Sequence, residues 1–252
     1  MKSLLAAIQF LTIIPFPRGG TATGEKELEG SVFFFPVVGL LIGIVVAVFD
    51  AIVGYVFPPF PASVLTVIVL VGISGGLHMD GLADTADGFF SARPRDQILD
   101  IMRDSRTGVM GVIAVVSVLI LKVAFLASLS PSLRPGIIAL TPLAGRCSLV
   151  PMMTFIPYAR SGGGLATPFE RKRSWLNVLW ASVLLIVAGW FTAQWIGLAA
   201  GFASLIVAVL FSGYCYRKIG GYTGDTLGAV CEITEIIPAL VAVAWVHGHS
   251  GI

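Results

Sequence analysis

Between positions 75 and 111 an otherwise apolar chain reads GGLHMDGLADTADGFFSARPRDQILDIMRDSRTGVMG, and this stretch holds six of its 14 acidic residues. Asp80, Asp84 and Asp87 fall at i, i+4 and i+7. On a helix turning by about 100° per residue, that spacing puts three carboxylates within a roughly 60° arc. Same-sign charges so placed repel, and a carboxylate drawn into lipid costs on the order of 2.5 to 3.5 kcal/mol, so the stripe requires a compensating cation. Oxygen-only ligands favour Mg2+ or Mn2+ over zinc, and Mg2+ takes one or two carboxylates while leaving its other positions to water and substrate phosphates. The plainer alternative is that these aspartates cap or solvate a helix end. A second acidic set lies in GGYTGDTLGAVCEITEI at 220 to 236. There Asp225, Glu232 and Glu235 at i, i+7 and i+10 project within roughly 80° of one helical face, and Gly220, Gly221 and Gly224 before them leave room for a ligand near the backbone.

Cations stand near the first set. Arg103 and Arg106 flank Asp104 and Ser105 in MRDSRTG, and two arginines beside a carboxylate stripe suit the charge-assisted hydrogen bonds that a phosphate makes. Arg93 and Arg95 interleave with Asp96 and Asp100, a mixture that also describes a solvated loop. Arg146 is a lone charge inside the apolar run AGRCSLVPMMTFIPYAR; it either finds an acidic partner or snorkels to the interface. His78 precedes Asp80 and could orient a ligand, although a lone histidine at a helix end serves as readily as a hydrogen-bonded polar residue. Cys147, Cys215 and Cys231 lack C-x-x-C spacing and read as buried free thiols, neither a disulfide frame nor a zinc site.

The elements that must carry these groups are transmembrane helices. Of the 252 residues 56% are hydrophobic and only 12% charged, and mean hydropathy is +0.93, which excludes a water-soluble globule. Apolar runs of about twenty residues match the ~30 Å hydrocarbon core, and the alternation of a β-barrel is absent. The expected fold is all-α, a polytopic transmembrane bundle in a single domain over 1–252. About seven spans are expected, at 32–53, 63–79, 108–128, 135–156, 175–194, 197–216 and 229–247. The opening MKSLLAAIQFLTIIPFP lacks a cleavage site and reads as a short interfacial or re-entrant helix. The G-x-x-x-G pairs Gly39/Gly43, Gly72/Gly76 and Gly197/Gly201 are expected at close helix crossings. Loops 17–31, 80–107, 157–174 and 217–228 hold nearly all the loop arginines and lysines, against Arg134 alone on the opposite side, so both acidic sets should face the cytoplasm. A net charge of +2 with no basic run excludes a nucleic acid polymer as partner. Membrane lipid is the expected surrounding, and homo-oligomerisation is left open.

Carboxylates converging on a metal with arginines nearby, and no Walker or Rossmann glycine loop, suit phosphoryl or nucleotidyl transfer at a membrane surface. DTADGFFSAR followed by DQILDIMRD resembles the D-x-x-D-G-x-x-A-R…D-x-x-x-D signature of CDP-alcohol phosphotransferases, with one extra residue between Gly88 and Ala92 and a shorter gap from Arg93 to Asp100. A resemblance over nearly the whole chain is to the cobalamin synthase family, the adenosylcobinamide-GDP ribazoletransferases of late vitamin B12 synthesis. It is carried in order by QFLTIIPFP (9–17), FFPVVGLLIG (34–43), GGLHMDGLADTADG (75–88), IMRDSRTGVMG (101–111) and GGYTGDTLGA with EITE (220–235).

This resemblance implies an enzyme of a bacterial or archaeal cytoplasmic (inner) membrane. With Mg2+, it would join α-ribazole or its 5′-phosphate to adenosylcobinamide-GDP and release GMP. On that footing Asp80, Asp84 and Asp87 would hold Mg2+ on the diphosphate, with Asp80 also counted as catalytic. Arg103 and Arg106 would neutralise the departing GMP, and Asp104 would take the proton of the ribazole 5′-hydroxyl. His78, Arg146, Asp225, Glu232 and Glu235 would bind substrate or complete the metal site. The rival readings are a CDP-alcohol phosphotransferase of phospholipid synthesis and a cation-coupled transporter; the latter would need inverted repeats and acids at mid-bilayer, and the sequence has neither signal.

Overall fold

The computed structural model describes residues 2–14, 25–160 and 174–249. Of the basic residues in the loops given above, Arg18, Arg171, Lys172 and Arg173 lie outside the described residues. The described chain is helical: α1 (Lys2–Leu11), α2 (Glu25–Ser31), a 3-10 turn (Val32–Phe34), α3 (Phe35–Gly54), α4 (Pro59–Ile73), α5 (Leu77–Phe89), α6 (Arg95–Ile101), α7 (Val109–Ala127), α8 (Arg134–Phe155), α9 (Trp175–Ile219) and α10 (Gly224–His249). Among the described residues the only β pairing is an isolated parallel bridge between Tyr158 and Tyr222.

Five helices are long and apolar enough to cross a membrane, or six if α4 and α5 form one broken span. At 1.5 Å per residue the 45-residue α9 is about twice as long as a bilayer core is thick. The chain resolves this by reversing at Ala193 (φ −150°, ψ 23°) and Gln194 (φ 48°, ψ −124°). Gly189 and Gly197 let the two arms touch backbone to backbone: a Cβ on Gly189 would stand 2.4 Å from the Gly197 carbonyl oxygen. With the arms counted separately the described residues hold six candidate spans, or seven if α4 and α5 form one broken span, against the expected total of about seven. Rows of large apolar side chains stay exposed on the outer helices, such as Ile44, Val45, Val48 and Ile52 on α3 and Val112, Ile113, Val116 and Ile120 on α7. This is the surface of an integral membrane protein, whose outward faces meet lipid.

The centre of the bundle is α8, buried along nearly its whole length. Helix α3 crosses it where Gly39 and Gly43 face Pro142 and Ala139; a Cβ on Gly43 would lie 2.0 Å from the Ala139 carbonyl oxygen. The third glycine pair behaves differently from expectation. Gly72 and Gly76 have open space around them, and Gly75 (φ 62°) and Gly76 (φ 75°) instead form a left-handed turn. That turn ends α4 at Ile73 and sends α5 off at 89°. The expected span 63–79 therefore stops short, and Asp80, Asp84 and Asp87 ride on a separate helix laid across the end of the bundle.

One end of the bundle is closed by a clamp that the sequence reading did not anticipate. Arg134 donates from Nε and Nη2 to both Asp50 oxygens at 2.8 and 2.7 Å, and from Nη1 to the Leu126 carbonyl at 2.6 Å. Thr66 Oγ1 donates to Asp50 Oδ1 at 2.6 Å. A buried carboxylate is thus neutralised and hydrogen-bonded, as charges removed from water must be. It ties α3, α4, the end of α7 and the start of α8 together.

Candidate active site

The other end of α8 leads into the acidic cluster. Helices α5 and α10 cross at glycines: a Cβ on Gly81 would lie 2.7 Å from the Asp225 carbonyl oxygen, and one on Gly228 would lie 2.8 Å from that of His78. Only a missing side chain on each helix permits this approach. It brings Asp80 and Asp84 of α5 beside Asp225 of α10, although about 140 residues of chain separate them. Asp80, Asp225 and Asp87 all lie within electrostatic reach of Asp84.

The start of α10 is locally over-determined. The Thr226 amide donates to Thr223 Oγ1 at 3.2 Å while the Thr223 amide donates to Thr226 Oγ1 at 2.8 Å, a reciprocal cap that satisfies two orphan donors. The preceding turn pairs with the segment after α8: Ala159 N–H donates to the Tyr222 carbonyl and Tyr222 N–H to the Pro157 carbonyl, both at 2.8 Å. Gly221 is required there, since a Cβ would meet the Pro157 carbonyl oxygen at 2.1 Å. The pairing delivers Arg160, whose Nη2 donates to Asp225 Oδ2 at 2.6 Å. In the sequence Arg160 is only one of the cations of the loop 157–174. Its partner is 65 residues away, so only the folded contact between the two segments reveals the pair.

Each expected site residue has a definite place. Asp80 is exposed and Asp84 half-buried, and neither carboxylate makes a hydrogen bond or ion pair among the described residues. Asp87 is occupied: its oxygens accept from the Gly108 amide at 2.6 Å and the Gly111 amide at 2.8 Å. It anchors the first turn of α7, where a carboxylate meets the positive end of the helix. Asp80, Asp225 and buried His78 line a common cavity of about 100 Å³, walled on its apolar side by Phe10, Leu77 and Leu149. His78 Nδ1 has no hydrogen-bond partner among the described residues.

Glu232 and Glu235 do not join them. Seven and ten residues along α10 from Asp225, they sit about 10 and 15 Å deeper. There Lys122 Nζ donates to Glu232 Oε2 at 2.5 Å and also to Glu235, and the Arg146 guanidinium pairs with the other Glu235 oxygen. All four side chains are buried. Arg146 thus has the acidic partner its position required, and this neutral four-charge cluster forms the floor beneath the cavity. Lys122, hidden inside the apolar run of α7, was missed because a lone lysine in such a run reads as a snorkelling surface residue.

Arg103 is exposed with no ion pair among the described residues. Arg106 is bound to Asp104: its Nε and Nη2 reach both carboxylate oxygens, at 3.0 and 2.6 Å. These hydrogen bonds hold the Asp104 carboxyl down at about 2, well under the usual carboxylate range. While this pair stays closed, neither member can fill the role that the family resemblance gives it.

Among the described residues no three His, Cys, Asp or Glu side chains form a ready-made metal cage. Mg2+ does not need one, because it prefers one or two carboxylates plus water and phosphate oxygens. Asp80 and Asp84, unengaged and beside Asp225, have the oxygen chemistry for such a partial shell.

The comparisons agree with one another. The family model described as cobalamin-5-phosphate synthase matches residues 3–243. Three similar proteins carry the name adenosylcobinamide-GDP ribazoletransferase. The one from Acetivibrio thermocellus is 38% identical over 235 residues, 93% of this chain and 94% of its own length. The one from Brevibacillus brevis is 36% identical over 243 residues, 96% and 98%. The one from Chlorobaculum parvum is 38% identical over 253 residues, 98% and 97%. No solved structure matches.

Proposed function

The chain belongs to the cobalamin-5-phosphate synthase family, and from that premise we propose that it joins adenosylcobinamide-GDP to α-ribazole or α-ribazole 5′-phosphate in a magnesium-dependent reaction that releases GMP. The observation that carries this reading is the meeting of Asp80 and Asp84 with Asp225 and Arg160 at the Gly81–Gly228 crossing.

In the proposed reaction a ribose hydroxyl oxygen attacks the phosphorus nearer cobinamide. The phosphorus–oxygen bond to GMP breaks, GMP leaves with the bridging oxygen, and the hydroxyl proton passes to a carboxylate. One of the two acceptors already carries phosphate at the 5′ position. The hydroxyl common to both is therefore another one on the ribose, which replaces the 5′-hydroxyl of the sequence reading.

Asp80 and Asp84 would hold Mg2+, with Asp225 beside them and Asp87 supporting the α5–α7 junction. When bound, the ion supplies charge neutralisation on the diphosphate. Arg160 and Arg103 would take phosphate oxygens. Arg106 turning from Asp104 towards the leaving phosphate would free that carboxylate, so one movement supplies both a counter-charge and a base. Glu232, Glu235, Lys122 and Arg146 act below the cavity by holding α7, α8 and α10 in register. Apolar Phe10, Leu77 and Leu149 offer a surface for the corrinoid.

Arg93, Arg95, Arg103, Arg106, Arg160, Arg217 and Lys218 belong to the site end and Arg134 to the other, which favours a site facing the cytoplasm of a bacterial or archaeal cell. The test is purified protein in detergent, supplied with adenosylcobinamide-GDP, α-ribazole and Mg2+, with labelled CDP-alcohol in parallel. GMP release that stops on chelation supports the proposal. Turnover of the CDP-alcohol alone contradicts it.

A further inference from the structure

A second cavity, of about 220 Å³, opens on the far side of Arg160 and is lined by Arg95, Asp96, Leu99, Asp100, Arg103 and Arg160. Arg95 and Leu99, and likewise Asp96 and Asp100, stand four residues apart along α6, and Arg103 follows two residues beyond its end. The floor is fixed from outside the helix, because Arg95 donates from Nε to the Ile219 carbonyl at 2.7 Å and from Nη2 to the Ala159 carbonyl at 2.8 Å. Three side chains retain unused capacity. Among the described residues the side chains of Arg103 and Asp100 make no hydrogen bond or ion pair, and Arg160 Nε is buried without a partner. The cavity lining therefore combines guanidinium donors, a carboxylate with no side-chain partner among the described residues and an apolar wall at Leu99.

Arg160 connects this cavity to the first, since its Nη2 holds Asp225, which lines the cavity beside Asp80. A ligand whose phosphates lie at Arg160 can therefore reach both. Resting on the proposed reaction, we infer that the α6 cavity receives the guanosine half of the nucleotide substrate, with the Asp100 carboxylate accepting from the N1–H and N2–H2 groups of guanine while Arg103 and Arg160 hold its phosphate. A carboxylate suits that edge because guanine presents two adjacent donors there, whereas adenine presents an acceptor in place of N1–H and lacks the N2 amino group. A nucleoside phosphate without those donors, such as α-ribazole 5′-phosphate, would share the arginines but not Asp100.

The experiment is equilibrium binding of labelled GMP to the detergent-solubilised full chain, with IMP, AMP and α-ribazole 5′-phosphate as competitors, in the wild type, Asp100→Asn and Arg103→Ala. Hydrogen bonds to a charged group differ enough from their absence to expect about 10- to 100-fold preference for GMP over AMP, with IMP between. Asp100→Asn should reduce GMP affinity at least tenfold and abolish that preference, leaving the affinity for α-ribazole 5′-phosphate unchanged. Arg103→Ala should weaken all the nucleotides alike. An unchanged GMP to AMP ratio in Asp100→Asn, loss of α-ribazole 5′-phosphate binding instead, or no GMP binding by the wild type would overturn the inference. Binding is read without turnover, so guanine selectivity lost in Asp100→Asn upholds the subsite even if no corrinoid product forms, and intact turnover with unchanged selectivity sinks it alone.

Discussion

The backbone of Asp225 passes so close to Gly81 that a Cβ on the glycine would lie 2.7 Å from the aspartate's carbonyl oxygen. Rigid backbone cannot yield as a flexible side chain can, so Gly81→Ala must push α5 off α10. Overpacking of this kind costs about 1–3 kcal/mol. A fall in the unfolding temperature together with loss of GMP release is expected for Gly81→Ala and Gly228→Ala. Gly54→Ala, which meets open space, should change neither. Thermal unfolding in detergent beside an activity assay checks this.

The buried cluster beneath the cavity is balanced, with Lys122 and Arg146 facing Glu232 and Glu235. Removing one member strands a charge, and breaking a buried pair in this way costs about 3–5 kcal/mol. Lys122→Met alone should therefore destabilise more than Lys122→Met with Glu232→Gln. The double-mutant cycle, read by denaturation of the solubilised protein, should give a coupling well away from zero.

At the opposite end, Arg134→Ala leaves Asp50 buried without its cation. A comparable loss of stability is expected. Below the new unfolding temperature, the KM for adenosylcobinamide-GDP should stay unchanged, because the clamp touches nothing near Asp80. Kinetics at a temperature where the variant remains folded would show whether the two ends are independent.

Asp104 is held at about 2 by hydrogen bonds from Arg106, below the ~3.9 of a free aspartate. A depressed folded-state value contributes stability that is present above the unfolded value and lost as pH falls through about 2. From pH 5 to 9 the closed pair should show no titration. Arg106→Ala should return the carboxyl toward its ordinary range, which carbon-13 labelling of the carboxyl group can follow.

Much of this was legible from residue order. Hydropathy marked the spanning helices, and helical periodicity put Asp80 and Asp84 on one stripe with Asp225 as their distant counterpart. Periodicity reports direction around an axis but not depth along it, so Glu232 and Glu235 shared the face of Asp225 while lying two and three turns further in. The bend after α4 was obscured because the apolar run continues through Leu77; its only signal was the Gly75–Gly76 doublet. Lys122, Asp50 and Arg160 acquire their meaning from partners far away in sequence, which no local pattern encodes.

The most direct test of a shared site is GMP release by Asp84→Asn, Asp225→Asn and the double variant, measured across Mg2+ concentrations. If both helices serve one magnesium-dependent centre, each single change should lower turnover on the order of 100-fold, and the double variant should be little worse than the weaker single, as for residues that act as a unit. Near-normal turnover in Asp225→Asn, or losses that simply multiply, would contradict a common site.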